Sequence, residues 1–246
     1  MKFENTWTGN WEGAFHGLRH PMESYAKSDS YVWEGCHNQE GIADCKCGFQ
    51  LGPNDIDLAQ RMIKAGTPND KFLRQIFVSV DITAPLYWWK EMDTYKVGTT
   101  ANSTSTMHKL ASTPITIDCF ETDDYQPDLI FETGMDDHGD HPWPYECILE
   151  DYIGEFEKEV YFSETLIGML ESLRLKYLET KDVRYWKELI RWLPESWLQT
   201  RQWTANYSVL RNIIHWRKGH KLTEWNSFIE WCHALPYAEE LLFFDN

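Results

Sequence analysis

Between residues 75 and 83 apolar and polar side chains alternate without a break. Ile76, Val78, Val80 and Ile82 fall on one face, and Phe77, Ser79 and Asp81 on the other. A period of two predicts a half-buried strand, and Pro85 ends it. Just upstream, Gly52-Pro53-Asn54-Asp55 combines a turn with an N-cap, residues 56–65 carry apolar positions at helical spacing, and Gly66 supplies a C-cap. Residues 86–95 are amphipathic and predict a second helix. The hydroxyl-rich run 97–106 uses residue types that favour turns over helix interiors and reads as a loop. Residues 114–120 fit a second strand. After residue 150 the period changes to that of helices, predicted over 163–178, 182–193, 198–218 and 223–235, with a last turn begun by Pro236. Asp182 and Thr223 are good N-cap types, and Pro194 stops the second of these helices. The first 52 residues are rich in Gly, His, Trp and turn formers and predict irregular structure with one short strand at 31–33. Strands in the first half and helices in the second make an α+β pattern.

Composition narrows the picture. The 246 residues show no internal repeat and no low-complexity linker, which predicts one domain spanning 1–246 with an acidic insertion at about 111–150, where eleven Asp and Glu occur without a Lys or Arg. The chain has 23 basic against 39 acidic side chains, a formal net charge of −16, so a nucleic-acid polymer would be repelled over most of the surface. No window approaches the ~18 apolar residues of a membrane span. The first ten residues lack the basic-then-apolar order of a signal peptide, and the expected location is cytoplasmic. Six cysteines in a reducing compartment suit packing, reactivity or metal ligation better than disulfides. Cys36, His37, Cys45 and Cys47 could close a tetrahedral site, although their spacing lacks the paired two-residue separation of the stronger zinc patterns. Asp137, His138, Asp140 and His141 could hold a cation or form a solvated acidic loop. Phosphate-binding, dinucleotide-binding, nucleophile-elbow and zincin motifs do not occur.

The most informative chemistry lies near the C-terminus. On a helix, Asn206, Leu210, Ile213 and Arg217 differ by 4, 3 and 4 positions and share one stripe, while Arg211 and Asn212 fall on other faces. The same residues could cap an apolar helix and end it in a surface ion pair. Four features run in order: Leu193-Pro194, Trp203-Thr204-x-Asn206, Leu210-x-Asn212, and Arg217. This run resembles the C-terminal signature of the flavin-dependent thymidylate synthases. Ala84-Pro85-Leu86-Tyr87, Thr94-Tyr95-Lys96 and Asn102-x-x-Ser105 resemble an earlier block of that family.

The resemblance implies a curved, mostly antiparallel sheet flanked by helices, assembled as a homotetramer with FAD and deoxyuridylate at shared interfaces and a reduced folate as a further cofactor. It implies that Asn206 and Asn212 contact the flavin, with Lys96, Asn102 and Ser105 beside them, and that Arg217 is catalytic, holding and polarising the uracil ring. Thr99, Thr100, Ser103, Thr104 and Arg211 would then bind the nucleotide, with neutral hydroxyls replacing charged donors. The family's Arg-His-Arg hallmark falls on Thr94-Tyr95-Lys96 or Tyr95-Lys96-Val97, and two further family arginines fall on Met107 and Ser208. Two functions stay open from these residues. One is reductive one-carbon transfer to a uracil-type nucleotide. The other is a catalytically degenerate protein that holds or sequesters a nucleotide on the same scaffold.

Overall fold

The computed structural model describes residues 1–33, 48–122, 130–132 and 159–245. Backbone contacts divide the chain into two compact units, Met1–Thr104 with Gln199–Asn246, and Ser105–Leu198. Among the described residues, no helix is long and apolar enough to cross a membrane.

The first unit is built on a four-stranded sheet. Strand β1 (Lys2–Gly9) pairs antiparallel with β4 (Phe77–Pro85), β4 neighbours β8 (Leu198–Asn206), and β8 pairs antiparallel with β5 (Thr100–Ser103). Thr83 meets Thr200 near one end of the β4–β8 contact, and the Tyr207 N–H donates to the Ile76 carbonyl at the other, so β8 runs opposite to β4. The alternation read in the sequence is realised on β4: Val78, Val80, Ile82 and Ala84 are buried while Ser79, Asp81 and Thr83 are half-buried. Helix α1 (Trp11–Arg19) follows β1. The short hairpin β2 (Tyr31–Trp33) and β3 (Gly48–Gln50) precedes α2 (Pro53–Ala65), which starts at Gly52 and stops at Gly66 with φ 67°. Helix α3 (Leu86–Met92) leaves β4 directly.

An α+β architecture with an antiparallel sheet and flanking helices is therefore present, with several elements differing from expectation. The stretch 198–218 is a strand followed by a helix, α7 (Tyr207–Arg217), instead of one helix. Its first half has a period of two whose inward positions are Gln199, Trp203 and Ala205, so a polar inward residue masks the alternation. The hydroxyl-rich run contains strand β5, formed because β8 offers it an edge to pair with. Residues 114–120 form a 3-10 turn at Ile117–Cys119 with a single bridge from Phe120 to Trp197, not a strand. The N-terminal segment, expected to be irregular, carries β1 and α1. Five of the eight β1 residues are exposed, so no apolar face announced it.

Three pieces of the first unit are stitched by a buried ion pair. The Arg19 Nε of α1 donates to Asp55 Oδ1 at 2.6 Å, and the Ser28 and Ser30 hydroxyls donate to Asp55 Oδ2 at 2.6 and 2.5 Å. The aromatic core gathers Trp88, Trp89, Trp203 and Tyr207 with Trp225 and Phe228 of α8 (Glu224–His233), and α9 (Ala238–Leu241) closes it. The Trp88 indole N–H has no hydrogen-bond partner among the described residues.

The C-terminal turn is held by Arg211, whose Nη1 donates to the carbonyls of Leu241, Leu242 and Phe244 at 2.9, 2.9 and 2.8 Å. Replacing Arg211 with Met keeps the aliphatic stem but strands these acceptors. The expected cost is about 2 kcal/mol, or ~4–8 °C in Tm by scanning calorimetry.

The second unit contains α4 (Thr106–Lys109), a two-stranded pairing of β6 (Ile130–Glu132) with β7 (Glu159–Tyr161), α5 (Phe162–Thr180) and α6 (Val183–Arg191). Leu110, Ile115, Phe120, Leu170 and Leu189 form its core. As expected from the sequence, Asp182 caps α6, accepting from the Arg184 backbone N–H.

Candidate functional site

Helix α7 begins without a loop after β8 because Asn206 serves both elements. Its backbone is still extended, and its side-chain oxygen accepts from the Val209 N–H at 3.1 Å. Gly98, at φ 80°, lies against this cap, where a Cβ would sit 3.2 Å from both Asn206 Nδ2 and Val209 Cγ2. A side chain at position 98 would be strained by the backbone and crowded by the cap. From that start, Tyr207, Leu210, Ile213 and Ile214 are buried, and the helix delivers Arg217 on its last turn.

Arg217 is fixed from several sides. Its Nε donates to the Tyr95 hydroxyl at 2.9 Å, its Nη1 donates to Glu91 Oε2 at 2.8 Å, and its guanidinium lies 4.5 Å from the Trp225 ring centre and 5.4 Å from that of Tyr95. The Trp225 indole N–H donates to the same Glu91 oxygen at 2.9 Å. His220 Nδ1 accepts from the Leu222 N–H at 3.2 Å, and its Nε2 lies 3.6 Å from Glu91 Oε2 and 3.2 Å from Arg217 Nη1. Glu91 Oε2 thus accepts from two N–H groups, those of Arg217 and Trp225. Arg217 Nη2 has no hydrogen-bond partner among the described residues, and the side chain is 15% exposed. The result is a planar cation locked against an aromatic surface, with two donors left for a ligand.

The sequence-predicted residues separate into groups. Asn206 and Arg217 stand at opposite ends of α7, about 16 Å apart along its axis, and Asn212 is exposed. Within one copy of the chain the two amides and the guanidinium do not converge, because the shared stripe is spread over three helical turns. Arg211 is engaged with the C-terminal carbonyls. Thr99 and Thr104 direct their hydroxyls to the Tyr95 and Thr200 carbonyls. Thr100, Asn102 and Ser103 are exposed on edge strand β5, and their side chains have no hydrogen bond among the described residues. Lys96 is likewise exposed and unpaired among them. Ser105 belongs to the second unit. Arg201 packs 4.3 Å over Trp89 and pairs with Asp93 at 2.8 Å. Trp88, Trp89 and Trp203 are buried in the core, and the Tyr87 hydroxyl bonds the buried Glu224.

Glu91, His220 and Trp225 were not singled out by the sequence. The available signal was the separation of Glu91 and Tyr95 by four positions in the predicted helix 86–95, which would set an acid and a phenol one turn apart. Cys36, His37, Cys45, Cys47 and the segment 137–141 lie outside the described residues. Among the described residues, no group of three or more His, Cys, Asp or Glu could hold a metal ion.

No family model and no curated protein matches the chain. Solved structures do match its fold. The flavin-dependent thymidylate synthase ThyX from Helicobacter pylori, complexed with FAD and dUMP, superposes with a TM-score of 0.61 at 15% identity, covering 100% of this chain and 99% of that one. A second structure of Helicobacter pylori ThyX with FAD and dUMP gives 0.60 at 16% identity, covering 100% of this chain and 98% of that one. The chain therefore has a ThyX-like fold, at low sequence identity to these two structures.

Proposed function

We propose, from a fold shared over its whole length with the flavin-dependent thymidylate synthases, that this protein is a divergent counterpart that binds FAD and acts on the ring of a uracil-type nucleotide. The observation carrying this reading is the Arg217 centre. It presents a permanently charged, immobilised guanidinium whose Nη2 donors remain available, which suits the carbonyl of an imide ring. Charge developing on a pyrimidine during hydride and one-carbon transfer would be stabilised there without reorganisation.

Lys96, Asn102, Thr100 and Ser103 offer one ammonium, one amide and two hydroxyls that are exposed and without side-chain hydrogen bonds among the described residues, a donor set that fits a flavin cofactor. Bound there, FAD would supply the hydride chemistry. The remaining work belongs to the chain. Tyr95 and Trp225 fix the guanidinium plane, Glu91 balances its charge, and the core behind Trp225 keeps water from that face. A reduced folate would be the one-carbon source, and a homotetramer the assembly in which Asn206 and Asn212 of one copy could approach the site of another.

The Glu91–Arg217 ion pair favours a second reading, a protein that holds the nucleotide without turning it over, since a neutralised guanidinium binds a ring yet stabilises less developing negative charge. An absorbance spectrum of freshly purified protein, with bound small molecules identified by mass after denaturation, tests the main reading. Oxidised-flavin absorbance, or its appearance on reconstitution with FAD, is expected. A colourless protein that cannot take up FAD overturns it.

A further inference from the structure

Tyr87 and Glu91 lie one helical turn apart on one side of α3, and Tyr95 follows in the turn beyond it. Tyr95 and Glu91 hold Arg217 at 2.9 and 2.8 Å, and Glu91 also accepts from Trp225 at 2.9 Å. Tyr87 bonds to neither Arg217 nor Trp225. Its hydroxyl donates to Glu224, the first residue of α8 and the chain neighbour of Trp225. Glu224 is 3% exposed, and among the described residues its side chain has no hydrogen-bond partner besides Tyr87. A buried acid served by a single neutral donor is a costly way to fill space, and an aliphatic side chain would pack there without that penalty. The bond joins the two elements that hold Arg217, at a point beyond the guanidinium itself.

We propose that Tyr87 and Glu224 are positioning residues of the Arg217 centre. They keep Glu91 and Trp225 in register, so that the guanidinium and its Nη2 donors are held in one orientation. This deepens the uracil-ligand reading and rests on it only for the effect on binding. The physical basis is a difference in steepness. Trp225 is wedged among rings, 4.9 Å from Trp88 and 5.7 Å from Phe228 between centres, and dispersion contacts of that kind change gently as one ring slides past another. A hydrogen bond weakens steeply with distance and angle. The Tyr87–Glu224 bond therefore fixes α3 against the start of α8, and with it the point at which Glu91, Trp225 and Arg217 meet.

The first readout needs no ligand. It is the magnetic resonance signal of the Arg217 Nε–H in the full chain, deuterated and nitrogen-labelled, identified as the signal lost in Arg217→Lys. In the unaltered protein this proton, bonded to Tyr95, should exchange slowly with water. Tyr87→Phe keeps the ring and removes the hydroxyl, and Glu224→Leu removes both acceptors. Each should speed the exchange about tenfold or more, and Tyr87→Phe decides if the leucine variant does not fold. Glu224→Gln keeps an oxygen for Tyr87 and should stay within about twofold of the unaltered rate. The second readout is the Kd of deoxyuridine 5′-monophosphate by calorimetry with FAD present. Tyr87→Phe should weaken it about tenfold, and should weaken it no further when added to Arg217→Lys, although the urea midpoint falls equally in both backgrounds. A fast-exchanging Arg217 signal in the unaltered protein overturns the inference, as does an unaltered one in folded Tyr87→Phe. So does a folded glutamine variant that behaves like the leucine one, or a loss of affinity that adds fully to that of Arg217→Lys. A protein that binds neither FAD nor the pyrimidine removes the ligand reading alone, because the exchange rates still decide whether the pair positions Arg217.

Discussion

Asp55→Ala is expected to lose about 3–5 kcal/mol of stability, enough to leave a marginal domain largely unfolded at physiological temperature. The carboxylate and Arg19 are 0% and 5% exposed, and both carboxylate oxygens are used, one by Arg19 and the other by Ser28 and Ser30. Removing the acid strands a buried guanidinium and two hydroxyls at once. Equilibrium urea unfolding measures the loss. Because the dominant penalty is the uncompensated charge, Arg19→Met combined with Asp55→Ala should recover part of it, and full additivity would show that the two side chains do not act as a unit.

The same group sets an acid limit. Burial alone would raise the Asp55 carboxyl, but hydrogen bonds from Ser28, Ser30 and Arg19, with the charge of Arg19, outweigh it and hold the group below the ordinary aspartate value. A depressed folded-state value means that the contribution is complete above the unfolded value and lost as pH falls through the folded one. The urea midpoint should therefore hold on descending to about pH 4 and fall below it. In Asp55→Asn that acid-side fall should be shallower.

Arg217→Lys is expected to lower ligand affinity or turnover by about 10²-fold while lowering Tm by only about 2–4 °C, the cost of the lost Tyr95 bond and stacking. An ammonium can still pair with Glu91. It cannot also bond Tyr95, lie flat on Trp225 and present two further donors in one plane. Binding isotherms and thermal melts on one preparation separate these effects. If the lysine variant keeps full affinity, the available Nη2 donors are not what the ligand uses.

How much of this was legible beforehand depended on where the pattern was imposed. Strand β4 lies between β1 and β8, so one set of its side chains had to be apolar, and the alternation shows in the sequence. Strand β8 lies in the sheet too, but Gln199 takes an inward position and donates to the Thr104 carbonyl, so burial there is met by a hydrogen bond and leaves no apolar trace. The helical spacing that starts in earnest at Tyr207 therefore masks the strand before it. Arg217 stood out by residue type and position. Its environment did not, because Glu91 and Tyr95 come from far upstream and Trp225 from the next helix. Such encounters are decided by the packing of α3 and α8, which no local period records.

Strands β5 and β8 are antiparallel neighbours with Ser103 opposite Arg201, and the bond from the Thr104 N–H to the Thr200 carbonyl closes the pair. Two strands in that relation ordinarily need only a tight turn of about two to five residues. Here Ser105–Leu198 separates the two strands along the chain. In topological terms it is a guest inserted at a hairpin tip. The host sheet closes its hydrogen bonds on either side of the entry point, leaving the excursion room to be rebuilt or exchanged without reordering the strands that anchor Arg217.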